Sequence, residues 1–254
     1  MKIALVFYGK FTGVNKRHET QGFEVPCEFL YQNVVNEKTD IFFHGWDDEE
    51  HKSLELIQKL KPKKYLLEKQ IVFEHPYKHY DFVQGAWNTK DYMNNNYSRF
   101  YSLKQAMSLV DESYDMVLVS RFDTIFYTPI PFEKFSKDNF YVTNWQYNKD
   151  GYGFNDAWFI SGYENMKNFS LIYDVFDEYN KLDSKYVEFL TSHGLSVNNI
   201  TSGHAIFRYR SEEIGLKDKT YTWGDEYLTW GLIRRHELRK SVESNLSILN
   251  IEKL

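Results

Sequence analysis

The stretch YDMVLVSRFDTIF, Tyr114–Phe126, runs through an apolar block at Met116–Val119, stops at Ser120-Arg121-Phe122-Asp123, and returns to Ile125 and Phe126. A short apolar run bounded by charge reads as a strand buried on both faces of a sheet. The charged step at its end has two readings by local rules. One is a structural Arg–Asp ion pair at a turn. The other is a carboxylate held at the end of a sheet for a divalent ion, which prefers hard oxygen ligands. In the second reading Arg121 supplies a rigid fork of donors for phosphate or orients Asp123.

Working outward, the flanking segments alternate. Ile3–Tyr8 reads as a buried strand ending at Gly9. VPCEFLYQNVV has helical spacing at Val25, Phe29, Leu30 and Val34, with Pro26 suited to a first turn. Asp40–His44 is a second strand, Ser53–Leu60 a helix stopping near Pro62, and KKYLLEKQ a third strand. His75–Asn96 reads as a long polar and aromatic loop. SRFYSLKQAMSLVDE follows as an amphipathic helix with Phe100, Leu103, Met107 and Val110 on one face and Ser98 as its N-cap. Alternation of this kind predicts an α/β fold, a mostly parallel mixed sheet flanked by helices. Ligands bind such sheets at the carboxyl ends of strands. That singles out Tyr8-Gly9-Lys10, His44-Gly45-Trp46-Asp47 and Arg121-Phe122-Asp123.

The second half is less regular. Asn139–Trp145 and Phe154–Gly162 read as strands, separated by the turn-rich NKDGYG. YENMKNFSLIYDVFDEY reads as one helix with Met166, Phe169, Ile172, Tyr173 and Phe176 inward, and SGHAIFRYRSEEIGL as another. No repeat or low-complexity linker divides the chain. We expect a single domain over 1–254, in two halves, 1–128 and 129–254.

Bulk properties narrow the chemistry. The chain has 254 residues, enough for a sizeable core, and a net charge of −5 without a basic run. That leaves no electrostatic footprint for nucleic acid. Aromatic residues make up 18%, which suits either an aromatic core or a cleft that stacks on sugars and bases. Cys27 is the single cysteine, which argues against an internal disulfide or thiolate zinc site and fits a small core residue. MKIALVFYGK is too short to span a membrane and reads as a first strand. A soluble, cytoplasmic protein is expected.

Several residues invite function. Gly9 permits close approach of a ligand to backbone, or simply makes a turn. Tyr8 is placed to stack on a base. Asp47 and Asp48 suit the cap of the following helix. In TYTWGDEYLTW two tryptophans, Trp223 and Trp230, bracket Asp225 and Glu226, which suits sugar stacking beside a carboxylate, or C-terminal packing. His204 fits a metal or phosphate contact, or a local hydrogen bond.

The order LVFYGK, DIFFHGWD, NNNYSRFYSLKQAMSLV, YDMVLVSRFDTIF and NDAWFISG resembles a nucleotide-sugar-dependent glycosyltransferase of the GT-A type. It is most similar to the small bacterial and viral enzymes that build surface polysaccharide or glycan chains, and the resemblance runs from residue 1 to about 210. The resemblance implies a GT-A-like (Rossmann-like) sheet and a divalent metal, Mn²⁺ or Mg²⁺, on an acidic motif after a central strand. RFD stands at that motif, with Asp123 its acid, and Arg121 occupies the position where an Asp-x-Asp pattern has its first acid. The resemblance makes 1–128 the nucleotide-sugar half and 129–254 the acceptor half. By the same resemblance Asn96, Arg99 and Ser102 face the donor, Tyr8 and Gly9 its base and ribose, and Asn155 the acceptor. Lys10, Arg121 and Phe122 are read as further donor contacts beside them, and Trp223 and Asp225, beyond the resemblance, as acceptor contacts on their stacking and carboxylate chemistry. Asp156 becomes the general base for the acceptor hydroxyl, with Glu226 next in line.

The implied activity is metal-assisted transfer of a hexosyl or deoxyhexosyl group. The donor is a UDP-, GDP- or dTDP-sugar, and the acceptor a hydroxyl of a glycan, in a bacterial or virus-infected cell. The alternative is a non-catalytic carbohydrate- or nucleotide-binding protein on the same fold.

Overall fold

The computed structural model describes residues 1–12, 22–47, 50–74, 90–144, 153–226, 228–233 and 252–253. In chain order its first half comprises β1 (Ile3–Gly9), α1 (Glu24–Asn33), β2 (Thr39–Trp46), α2 (Glu50–Leu60), β3 (Lys64–Glu68), α3 (Lys90–Ser108), β4 (Met116–Arg121) and β5 (Thr124–Phe126). There follow β6 (Phe140–Asn144), β7 (Trp158–Gly162), α4 (Tyr163–Ser170), α5 (Ile172–Tyr179), α6 (Lys185–Ser192), α7 (Gly203–Glu213), β8 (Thr220–Asp225), β9 (Trp230–Leu232) and β10 (Glu252–Lys253).

The main sheet has the order β10-β8-β6-β7-β4-β1-β2-β3, so both halves of the chain contribute to one sheet. β1 pairs in parallel with β2 and β4, β2 with β3, and β6 with β8. β7 runs antiparallel between β4 and β6, and β10 antiparallel to β8. The α/β mixed sheet expected from the alternation is therefore present. Register brings Tyr8 opposite His44 on one side and Arg121 on the other. Because β7 is antiparallel, its amino end, with Asp156 just before it, lies beside the carboxyl end of β4.

Period-two alternation along β1 explains why its sequence is apolar throughout. Ala4, Val6 and Tyr8 pack with Phe100, Leu103 and Met107 of α3 and with α4–α7. Ile3, Leu5 and Phe7 point to the other face, against Cys27 and Leu30 of α1 and Leu56 and Leu60 of α2. Cys27 is a free, buried core residue, and burial pushes its thiol up to about 12. Most of the large aromatic content is structural, with rings such as Phe42, Phe100, Phe140 and Trp158 fully enclosed.

Three element boundaries differ from the sequence reading. α3 begins at Lys90, so Ser98 is inside it and accepts from the Gln70 amide at 3.0 Å instead of capping. Residues 90–96 of the expected loop are therefore helical, and its residues 75–89 lie outside the described residues. The run of Asn94–Asn96 hides the helix start, since asparagine is a weak helix former. Met93 and Tyr97 nevertheless continue the buried stripe. Second, the helix read through Tyr163–Tyr179 is two helices broken at Leu171. Arg210 of α7 donates to the Asn168 carbonyl at that break, at 2.6 Å, beside the Leu171 amide that the same carbonyl accepts at 3.4 Å. Third, the strand before α4 begins at Trp158, leaving Phe154–Ala157 as a turn. Residues 148–152 of the NKDGYG turn and the tail after Arg239 to 251 lie outside the described residues.

Candidate active site at the strand ends

β4 leaves the main sheet at Arg121. The chain turns at Phe122 and Asp123, and β5 pairs antiparallel with β9 in a separate two-stranded sheet. Ile125 and Phe126 are buried there. The turn is pinned from both sides: Thr124 Oγ1 donates to the Ala157 carbonyl at 3.1 Å, and the Ile233 amide to the Asp123 carbonyl at 2.9 Å. The charged step is thus a fixed corner between two sheets.

At that corner lies a chain of four charges. Arg121 grips Asp123 with two bonds, Nε to Oδ1 at 2.8 Å and Nη2 to Oδ2 at 2.6 Å. Its Nη1 donates to Asp156 Oδ1 at 3.2 Å. The other Asp156 oxygen pairs with Arg99 Nη1 of α3 at 2.8 Å. Burial alone would lower the Arg121 pKa, but Asp123 and Asp156 outweigh it and hold the guanidinium above its ordinary range. The two carboxylates are the inner members, with side chains 6% and 9% exposed. The guanidinium groups are the outer ones, at 18% for Arg121 and 28% for Arg99.

Around this network the framework is closely held. Tyr8 is buried and its hydroxyl donates to the Asp156 carbonyl at 3.4 Å. Burial and the Asp156 charge raise its pKa. Asn96 is buried and donates to the Thr201 carbonyl at 2.8 Å, which fixes the entry to α7. Ser202 caps α7 by accepting from the Ala205 amide. His204, in its first turn, donates from Nδ1 to the Phe154 carbonyl at 2.8 Å. Burial lowers the His204 pKa against the pull of Asp156, so the ring is neutral near pH 7. Asn155 Oδ1 accepts from the Ala157 amide at 3.0 Å and so shapes the turn before β7.

A second relay supports the end of β1. The Gly9 amide donates to Ser102 Oγ at 2.8 Å, Ser102 meets His44 Nδ1 at 2.6 Å, and His44 Nε2 meets Glu68 at 2.8 Å. The tautomer with its proton on Nε2 completes this chain: it donates to Glu68 while Nδ1 accepts from Ser102. Burial lowers the His44 pKa more than Glu68 raises it, consistent with the neutral ring. Gly9 sits at φ +100°, a backbone state that favours glycine.

The sequence candidates thus divide. Tyr8, Gly9, Arg99, Arg121, Asp123, Asn155 and Asp156 converge on one edge, with Asn96 and Ser102 behind them and Lys10 exposed at the end of β1. Phe122 is buried against Phe7, Phe11 and Phe43, and Trp223 is enclosed against Trp158 and Phe135. Neither offers an open face to a ligand, and neither does Tyr8, whose ring is in the core; this corrects the reading of Phe122 and Trp223 as donor and acceptor contacts and of Tyr8 as a base-stacking ring. Trp230 is likewise buried, its Nε1 donating to the Gly224 carbonyl. Asp225 and Glu226 are half-buried at the carboxyl end of β8 on the same edge, three strands from β4. That is roughly 14 Å at the usual strand spacing. Asp47 accepts from Ser53 and ties β2 to α2. The His44–Glu68 relay escaped sequence reading because its members are spread over four elements, β1, β2, β3 and α3.

The donor set does not fit the divalent cation expected at Asp123. Both of its oxygens are taken by Arg121, both Asp156 oxygens face guanidinium groups, and a cation there would meet two positive charges first. Among the described residues no group of three or more His, Cys, Asp or Glu side chains is placed to hold a metal. Among the same residues no helix is long and apolar enough to cross a membrane.

No family model matches the chain, and no curated protein matches it. Among solved structures it is similar to mouse xyloside xylosyltransferase 1 in its apo form, at 12% identity and a TM-score of 0.44 over 85% of this chain and 82% of that one. It is also similar to the glycosyltransferase GlyE of Streptococcus pneumoniae TIGR4, at 11% identity and a TM-score of 0.48. That match covers 97% of this chain, which spans 53% of the pneumococcal protein.

Proposed function

We propose that the chain is a glycosyltransferase that moves a sugar from a nucleoside diphosphate donor to a hydroxyl of a glycan acceptor. The observation that carries this reading is the Arg99–Asp156–Arg121–Asp123 network, where the carboxyl end of β4 meets the amino end of antiparallel β7 and α3, with the guanidinium groups more exposed than the carboxylates. Strand ends of an open sheet are where a ligand reaches backbone and side chains from several elements at once. The order of motifs along the sequence supports the same assignment.

In this reading Arg121 and Arg99 meet the donor diphosphate and stabilise the negative charge that develops on it as the glycosidic bond breaks. Lys10 adds a flexible positive charge at the rim. Asp156 keeps both guanidinium groups in place and, through the Arg121 Nη1 bond, aims the fork. Glu226 accepts the proton of the acceptor hydroxyl, because it is half-exposed on the same edge whereas Asp156 is enclosed with both oxygens engaged. Asn155 and Asp225 flank the acceptor side. No step is routed through a metal.

Incubating the full chain with UDP-, GDP- and dTDP-sugars and measuring released nucleoside diphosphate tests this reading. One donor is expected to release its diphosphate, faster with a glycan acceptor present. Tight sugar-nucleotide binding with no release from any donor would establish the non-catalytic alternative instead.

A further inference from the structure

We propose that the Arg121–Arg99 pair itself is the cation of the donor site, so that a nucleoside diphosphate binds without any divalent metal. This deepens the transferase reading and rests on it for the identity of the ligand. Three observations carry it. Every oxygen of the carboxylates that would ligate a metal already faces a guanidinium nitrogen, and these carboxylates are the less exposed members of the network. The guanidinium groups are the outer members, and Arg121 keeps N–H groups on Nη1 and Nη2 beyond the bonds it makes to Asp123 and Asp156. Arg99 also stands against the first residue of α7, so the positive end of that helix reinforces it.

The arrangement explains why an arginine follows β4. Planar forks match phosphate oxygens in pairs, and guanidinium is shed from water more readily than ammonium. Asp123 and Asp156 keep the two like charges together while the site is empty. An arriving diphosphate takes the outer N–H groups and offers them a stronger anion. A metal would have to displace Arg121 from Asp123 and then sit beside its positive charge.

Isothermal titration of the full chain with UDP, GDP and dTDP, in EDTA and again in Mn²⁺, tests the proposal. At least one diphosphate is expected to bind, with an affinity in EDTA within about threefold of that in Mn²⁺. Binding that needs Mn²⁺, or tightens more than threefold with it, overturns the proposal and leaves the transferase reading standing. No binding of any diphosphate under either condition overturns both. Arg121→Gln is expected to weaken binding about tenfold or more, the loss of charge-assisted bonds. Unchanged affinity in the folded variant overturns the proposal. Should Arg121→Gln not fold, Arg99→Gln decides: it removes the other guanidinium and is expected to weaken diphosphate binding in EDTA about tenfold. Unchanged affinity in that variant overturns the proposal.

Discussion

Asp156 shows how one side chain's surroundings bear on the chemistry open to it. Its position before β7 suits a base, yet the structure gives each of its oxygens to a guanidinium group. Removing such a partner leaves buried charge uncompensated. Asp156→Asn is therefore expected to lower unfolding free energy by about 3 kcal/mol, the low end for a broken buried pair because both arginines keep some contact with water. Glu226→Gln is expected to leave the urea midpoint and diphosphate affinity unchanged while transfer falls about a hundredfold, the usual range for a lost general base. Urea denaturation, calorimetry and a transfer assay on both variants check this. Full transfer in Glu226→Gln, with Asp156→Asn stable but inactive, would return the base role to Asp156. Sequence made Arg121, Asp123 and Asp156 visible because charge interrupts apolar runs at strand ends. It did not separate Phe122 and Trp223 from ligand contacts, because an aromatic residue near a strand end looks the same whether it faces a cleft or the core.

The elements that aim these residues are α3 and α7. α3 carries Asn96, Arg99 and Ser102 on successive turns, so one helix reaches the α7 entry, the charge network and the end of β1. α7 meets it at Gly203, where an added Cβ would lie 2.7 Å from Arg99 Nη1 and 3.2 Å from Asn96 Oδ1. Gly203→Ala sets two effects against each other. Alanine favours the helix by up to about 1 kcal/mol, and the contact forces Arg99 aside. The expected outcome is a urea midpoint little changed and a diphosphate affinity about tenfold weaker, because the displaced end is flexible but functional. An affinity equal to the wild type would show that Arg99 does not need its present place. The helical stripe from Phe100 onward was plain in the sequence. The start of α3 was not, because Asn94 and Asn96 serve distant backbone: Asn94 accepts from the Phe73 amide and Asn96 donates to Thr201. The break at Leu171 was hidden for a similar reason, since the arginine that answers it comes from α7.

Across the molecule, two imidazoles, buried His44 and half-buried His204, link the charge of the site edge to global stability. His44 lies behind β1 with Glu68 and Tyr101 facing it, and His204 lies between Phe154 and the Asp156, Arg99 and Arg121 charges. Burial lowers both pKa values below the ordinary 6.5. The unfolded chain therefore takes up these protons first as pH falls through about 6.5, and the native state is left behind. Their contribution is complete above that pH and declines toward each lowered folded-state pKa. Carboxylates with lowered pKa, such as Asp40 and Asp111, titrate well below this window and do not compete with the effect. The urea midpoint is thus expected to be lower at pH 5.5 than at pH 7.5, and the difference is expected to narrow in His44→Gln and in His204→Gln. If both variants keep the wild-type difference, the proton uptake belongs to other groups. His44→Gln carries a second readout. It cuts the relay that holds the Gly9 amide through Ser102, so diphosphate affinity at pH 7.5 is expected to fall there more than in a surface His51→Gln control.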